Sequence, residues 1–406
     1  MASKLGSRFD KLSVASGISN LGDGVMGAAF PLLVATLTRD PLLVAAATFV
    51  GRLPWFLFAL ISGALVDRMD RKRVMVITDA LRAVGVGILA VGILTGDAGL
   101  FLVYAIAFAL GTAETFFDTS AEALTPNLVD DDHLPAANGR LGALEFVGGS
   151  LIGPALGAFL FAMATAIPFF ANSLSFVIAA LVMLMIPGSF RATRMGDQSL
   201  GADIKEGLSW LWGRKVLRTL VIMAGVTNLF TFGMIAIFVL YAQDILGVSD
   251  IGYGVLLSVM GVGGLVGALI APRFVARFGG GVVLRISVVA SSVLSLTFGF
   301  ISSAVAAGAI LFAYLMLIAG WNVVSVTLRQ TLTPDELRAR VSGSARLLAF
   351  GTQPIGALLG GLLAGWFGIR SPFFVAAGAF AIMGVFTWSI ISNESIEAAR
   401  SASPAT

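Results

Sequence analysis

The chain has 406 residues, 57% of them hydrophobic and only 12% charged, with a formal net charge of +3. So little charge cannot cover a water-soluble globule of this size, which points to lipid as the surrounding solvent. Cysteine is absent, which excludes disulfides, thiolate metal sites and a thiol nucleophile.

The first residues, MASKLGSRFDKLSVASG, carry charges but no compact apolar run ending in a small-residue cleavage site, and are expected to be retained rather than removed as a signal peptide. Apolar stretches of about 20 residues, enough to cross about 30 Å of hydrocarbon, then recur twelve times. Their approximate limits are 12–37, 43–67, 73–95, 99–124, 139–164, 167–186, 216–243, 251–274, 282–303, 308–328, 344–367 and 372–392. Unpaired backbone is too costly in lipid for these to be anything but helices. The 48 glycines suggest close contacts between them. Between the sixth and seventh spans, Ile204, Leu208, Leu211 and Trp212 recur at helical spacing, as in an amphipathic helix lying at an interface. This divides the chain into a six-helix bundle over 1–186, a cytoplasmic linker over 187–215 and a second six-helix bundle over 216–406.

The loops alternate in charge. Counting from the N-terminus, 22 of the 26 Lys and Arg residues fall on one side of the membrane, while Arg39 and Arg370 fall on the other and Arg52 and Arg82 lie within spans. The basic bias of short loops sets topology, so both termini are expected in the cytoplasm. The same skew accounts for the positive net charge without a nucleic-acid partner.

Three stretches repeat in order. GALVDRMDRKR at 63–73 aligns with GALIAPRFVAR at 267–277, EALTP ending at Pro126 with QTLTP ending at Pro334, and GPALGA at 153–158 with GALLGG at 356–361. Duplicated six-helix halves are an architecture of transporters, with the substrate held near the midplane.

An ionisable side chain at membrane depth costs about 2.5–3.5 kcal/mol on insertion scales, so each one needs a reason. Asp23 lies near the middle of the first span, Glu114, Asp118 and Glu122 recur every fourth residue along the fourth, and Glu145 lies in the fifth. Such carboxylates can take a proton on one side and release it on the other, and Asp23, Glu114, Asp118 and Glu145 are the candidates for proton coupling. Asp79 and Arg82 read as a structural ion pair. Arg52 has no local partner, and is expected either to pair with Asp23 across a helix interface or to meet an anionic substrate. Arg52, Asn20, Asn228, Trp321 and Asn322 are candidates for lining a substrate cavity that the 30 phenylalanines make largely apolar. The one histidine, His133, follows an Asp-rich loop and reads as solvated. No cluster suggests a metal.

The run Gly63-Ala-Leu-Val-Asp67-Arg68-Met-Asp70-Arg71-Lys72-Arg73 resembles the loop motif between spans two and three of the major facilitator superfamily, G-x-L-x-D-R-x-G-R-R/K, with Asp70 standing where that pattern has Gly. In span five, Gly149, Gly153, Pro154 and Gly157 are similar to the signature of the family's antiporters, with Ala158 replacing the last Gly. GDGV at 22–25 together with the charged loop and ALTP looks most like the branch of drug and siderophore exporters that includes the enterobactin exporter.

The resemblance implies an all-α membrane protein with twelve helices in two pseudo-twofold-related six-helix bundles. It implies a conformational latch formed by Gly63, Asp67, Arg68 and Arg71, in which Asp67 meets the positive end of a helix dipole in the other half. The matching position in the second half is Ala271, so the latch is expected to be one-sided. The function implied is proton-coupled antiport of amphiphilic drug-like or siderophore-like molecules by a monomer in a bacterial inner membrane. Its partners are then small molecules, protons and the bilayer, with the proton gradient as drive and no cofactor. Uptake of a small polar nutrient by symport is the rival, but such importers usually spread buried charge over both halves. An intramembrane hydrolase has little to work with, since there is no H-E-x-x-H or G-x-S-x-G pattern, no cysteine and one histidine in a loop, and the lack of a P-loop pattern argues against ATP as the drive. A non-transporting sensor would usually carry a sizeable soluble domain.

Overall fold

The computed structural model describes residues 5–66, 68–191 and 200–401. Regular structure among them is helical throughout, apart from one isolated antiparallel bridge between Asp70 and Arg191. Among the described residues, eleven helices are long and apolar enough to cross a membrane. The twelfth expected span appears as Ser371–Thr387, whose 17 residues fall just short of that length. Apolar side chains such as Leu81, Phe101, Val385 and Phe386 stand outward and exposed, an arrangement suited to lipid rather than water.

Contacts group the chain into two compact units, one made of 1–39, 50–197 and 248–258, the other of 40–49, 198–247 and 259–406. The first unit contains α1 (Ser7–Leu37), most of α2 (Pro41–Val66), α3 (Arg71–Thr95), α4 (Leu100–Leu124), α5 (Leu134–Glu145), α6 (Gly153–Met163) and α7 (Ile167–Leu184). Helix α3 packs against α4 and α7, and α1 against α6 and α7. Proline in the first turn of α5 and α7 starts each where a missing N–H costs little. A cluster of Phe9, Leu12, Met75, Phe117, Met183 and Phe190 ties α1, α3, α4 and α7 together at the basic end of the unit.

The fifth span is not one regular helix. Between α5 and α6 the backbone widens into a π-helical turn, Phe146–Ile152. Glycine lets α1 press into this stretch. A Cβ at Gly153 would collide with Gly24, one at Gly157 with the Val25 carbonyl, and one at Gly148 would lie 2.9 Å from the Leu21 nitrogen.

The second unit contains α8 (Leu200–Trp212), α9 (Lys215–Ala236), most of α10 (Asp250–Phe278), α11 (Gly280–Phe300), α12 (Ala304–Leu332), α13 (Arg338–Phe350), α14 (Thr352–Phe367), α15 (Ser371–Thr387) and α16 (Asn393–Ser401). Its fifth span is likewise broken, at Gly351 between α13 and α14, and it repeats the glycine contact. Side chains at Gly356 and Gly360 of α14 would strike Leu229 and Gly233 of α9, as Gly153 and Gly157 would strike α1. The amphipathic helix α8 packs on α13, with Leu211 buried, Leu208 half-buried and Trp212 exposed. Glu206 pairs with Arg340 at 2.7 Å. The side chain of Ile204 lies outside the described residues. Tyr241 anchors the other end of this unit by donating its hydroxyl to the carbonyls of Phe298 (2.6 Å) and Ile301 (2.7 Å).

Candidate functional site

The charges within the first unit converge on one cation. Arg82, on α3, is 2% exposed, and its Nη1 lies 3.7 Å from Asp23 Oδ2 and 3.8 Å from Asp79 Oδ1. The same nitrogen donates a long hydrogen bond of 3.5 Å to Ser19 Oγ on α1. The guanidinium sits over two aromatic faces, Phe117 of α4 at 5.1 Å and Phe176 of α7 at 5.2 Å. Such contacts hold a cation without consuming its N–H donors. Asp23, Glu114, Asp79 and Asp118 all act on this charge, and Glu145 acts on Asp118 in turn.

The two carboxylates nearest the arginine differ in access. The Asp23 side chain is 38% exposed and Asp79 is 0% exposed. Neither oxygen of Asp79 has a hydrogen-bond partner, and Arg82 Nη2 has none either. A fully buried carboxylate held only by an ion pair nearly 4 Å long is unusual, because buried charges are normally paired and hydrogen-bonded at the same time.

Of the residues singled out from sequence, Asp23, Glu114, Asp118 and Glu145 therefore share one electrostatic neighbourhood. Arg52 is half-buried on α2 and acts on Asp23. Asn20 is half-buried on α1 beside the π-helical turn. In the second unit, Asn228 donates to the Ala224 carbonyl and accepts from Gln353, Trp321 is buried, and its neighbour Asn322 is exposed.

The four helices of the second unit that correspond to α1, α3, α4 and α7 are α9, α11, α12 and α15. Where they meet there is a small void lined by Thr227 of α9, Ser287 and Ser291 of α11, Trp321 of α12 and Phe380 of α15, with no ionisable side chain on its wall. Two aromatic walls are thus common to both halves, while the cation and its acids occur in one only.

The loop motif has a different geometry. Asp67 lies outside the described residues. Arg68 is exposed, a side chain at Gly63 would meet open space, and Arg71 Nη1 donates to Asn127 Oδ1 at 2.6 Å. Asp70 takes φ −77° and ψ 112°, ordinary extended backbone that needs no glycine. It is 4% exposed and caps α3 by accepting the Arg73 N–H at 3.1 Å. Its other oxygen accepts from Ser189 Oγ and from the Phe190 N–H at 3.1 Å, while Arg71 N–H donates to the Phe190 carbonyl at 3.2 Å. Lys72 Nζ reaches the Ile186 carbonyl at 2.9 Å. Burial alone would raise the Asp70 pKa, but the hydrogen bonds from Ser189, Arg73 and Phe190 and the charge of Arg73 outweigh it and hold the carboxyl below the usual range. The residue that departs from the family pattern thus clamps the start of the linker.

Sequence spacing showed the Asp79 and Arg82 pair but not the link from Arg82 to Asp23, because nothing along the chain says which faces of α1 and α3 meet. The roles of Ser19, Phe117 and Phe176 carried no sequence signal at all.

Two helical units built of membrane-spanning segments define a multi-pass membrane protein, and the family to which it belongs is one of transport proteins rather than enzymes. The chain belongs to the transmembrane secretion effector family of the major facilitator superfamily, whose sequence model matches residues 5–404. It is 32% identical to the multidrug efflux pump Tap of Mycobacterium tuberculosis (strain ATCC 25618 / H37Rv) over 389 residues, covering 88% of this chain and 87% of Tap. It is 24% identical to the enterobactin exporter EntS of Shigella boydii, over 87% of this chain and 85% of EntS. The crystal structure of the nucleoside transporter NupG shares the fold, with a TM-score of 0.77, 13% identity, and coverage of 95% of this chain and 99% of NupG.

Proposed function

We propose that the chain expels amphiphilic drug-like or siderophore-like molecules from a bacterial cell in exchange for protons, as a monomer in the inner membrane with both termini in the cytoplasm. The observation that carries this reading is the asymmetry of buried charge. One unit gathers Asp23, Glu114, Asp118 and Asp79 about Arg82, and the corresponding place in the other is a small neutral void walled by Trp321 and Phe380. A solute carrying a positive charge suits the acids of the first unit, and their protonation ties its passage to the proton gradient. The names of Tap and EntS support export over uptake. In the same reading Gly63, Asp67, Arg68 and Arg71 form the latch that must open in each cycle, while the motif Gly149, Gly153, Pro154 and Gly157, through the close approach of Gly153 and Gly157 to α1, limits leak and favours exchange.

The test is transport in inside-out vesicles with an acid lumen, challenged with tetraphenylphosphonium, a macrolide and a catecholate siderophore. Alkalinisation of the lumen on adding a substrate is expected. Further acidification would indicate symport and overturn the reading. So would unchanged flux after Asp23, Glu114, Asp118 and Glu145 are all replaced by their amides.

A further inference from the structure

The pair that sequence spacing marks as structural is poorly built for that role. A structural ion pair in a low-dielectric interior repays its desolvation only with close contact and hydrogen bonds to the remaining lone pairs. Asp79 has neither, being 0% exposed with both oxygens unbonded and its one cation 3.8 Å away. Arg82 is held mainly by Ser19 and the faces of Phe117 and Phe176, at nearly equal distances from Asp79 and Asp23. Asp79 has Arg82 as its one counter-charge, Asp23 has Arg82 and, more weakly, Arg52, and of the two only Asp23 has exposed surface.

From this geometry, and resting on the exchange reading above, we infer that Asp79 is the carboxylate that carries the proton, with Arg82 as a mobile counter-ion that moves between Asp79 and Asp23. When a monovalent organic cation sits on Asp23, Arg82 stays with Asp79 and both acids are ionised. When the cation leaves, Arg82 closes on Asp23. Asp79, with no other partner, then forms an O–H bond to a proton drawn from the outer side. Loss of that proton to the inner side returns Arg82 to Asp79 and frees Asp23 for the next cation. The cation-loaded and proton-loaded states carry the same net charge, and the deprotonated, cation-free intermediate carries one more negative charge that the next cation neutralises, so one proton exchanges for one monovalent cation with no net charge moved over a full cycle.

The surrounding groups set the background rather than the switch. Glu114 and Asp118 of α4 act on Arg82 from one side, Arg52 of α2 acts on Asp23, and Glu145 of α5 acts on Asp118. Helix α7 contributes Phe176 and has no ionisable residue. Arg82 is also the one favourable charge acting on Asp118, but among these acids Asp79 is the one with no exposed surface.

The experiment is binding of tetraphenylphosphonium to the purified full-length protein in detergent between pH 6 and 8.5, with proton release followed by a dye in weak buffer. Wild type should bind up to tenfold more tightly per pH unit and release one proton per cation bound. Asp79→Asn should bind weakly at every pH and release none, because Arg82 then stays on Asp23. Asp79→Glu should restore release with a displaced midpoint. An Asp79→Asn variant that keeps the wild-type pH slope and proton count overturns the assignment. If that variant fails to fold, an Asp79→Glu protein with an undisplaced midpoint overturns it instead. Wild-type binding with no pH dependence and no proton release would reject the exchange reading itself, a separate outcome.

Discussion

Replacing Asp70 by Ala should release the start of the linker from the first unit. The carboxylate accepts from the Arg73 and Phe190 N–H groups and from the Ser189 hydroxyl, and it is 4% exposed. Loss of an N-cap costs about 1 kcal/mol, and a buried donor left without an acceptor about 1–3 kcal/mol. Because these bonds share one side chain they will not add fully, and a combined loss of about 2–4 kcal/mol is reasonable. That corresponds to opening of segment 186–191 roughly 30- to 1,000-fold more often. Trypsin reads this directly, since Arg191 is exposed but tied to Asp70 in the antiparallel bridge. Cleavage after Arg191 in the purified protein, mapped by mass spectrometry, should accelerate by that factor in Asp70→Ala. Asp70→Ser keeps a cap for α3 but is too short to hold Ser189 and Phe190, so it should accelerate cleavage nearly as much while α3 stays intact. The sign with pH follows from the lowered pKa. The stabilisation is present above the unfolded carboxylate value of about 3.9 and is lost as pH falls through the still lower folded value. Hydrogen exchange at the Phe190 N–H should therefore stay protected from pH 8 to about 5, with loss of protection confined to stronger acid. A change in cleavage below threefold in both variants would refute the clamp.

Two further contrasts test the packing. Gly153→Ala should lower the melting temperature, because its Cβ would strike Gly24 and overpacking costs about 1–3 kcal/mol, whereas Gly149→Ala, whose nearest neighbour is Asn20 O at 3.9 Å, should melt like wild type. Equal melting of the two would remove the close approach of α1 to α6. Glu206→Gln breaks an exposed pair with Arg340 and should change stability by less than about 1 kcal/mol, while Gly207→Leu drives a side chain into the Arg340 backbone and should expose α8 to protease. The reverse order would show that the salt bridge, not the glycine contact, docks this helix.

Much of the architecture follows from local chemistry. Long apolar runs must become helices in lipid, and the paired stretches at 63–73 and 267–277 and at 153–158 and 356–361 mark the repeat. The glycine contacts of α6 on α1 and of α14 on α9 show what that repeat preserves. The wide turn over Phe146–Ile152 was not legible, since a change in hydrogen-bond register leaves apolar composition unaltered.

What only the tertiary structure decided is which charges meet. Helical period places Asp79 beside Arg82, but Asp23 is 59 positions from that arginine along the chain and Ser189 is 119 from Asp70. Whether two such groups touch depends on how whole helices rotate and pack. That rotation is set by many small apolar contacts summed over each interface rather than by the few ionisable residues on it. The chain therefore announces that buried charge exists and in which half, while the fold alone determines that Arg82 stands between Asp23 and Asp79.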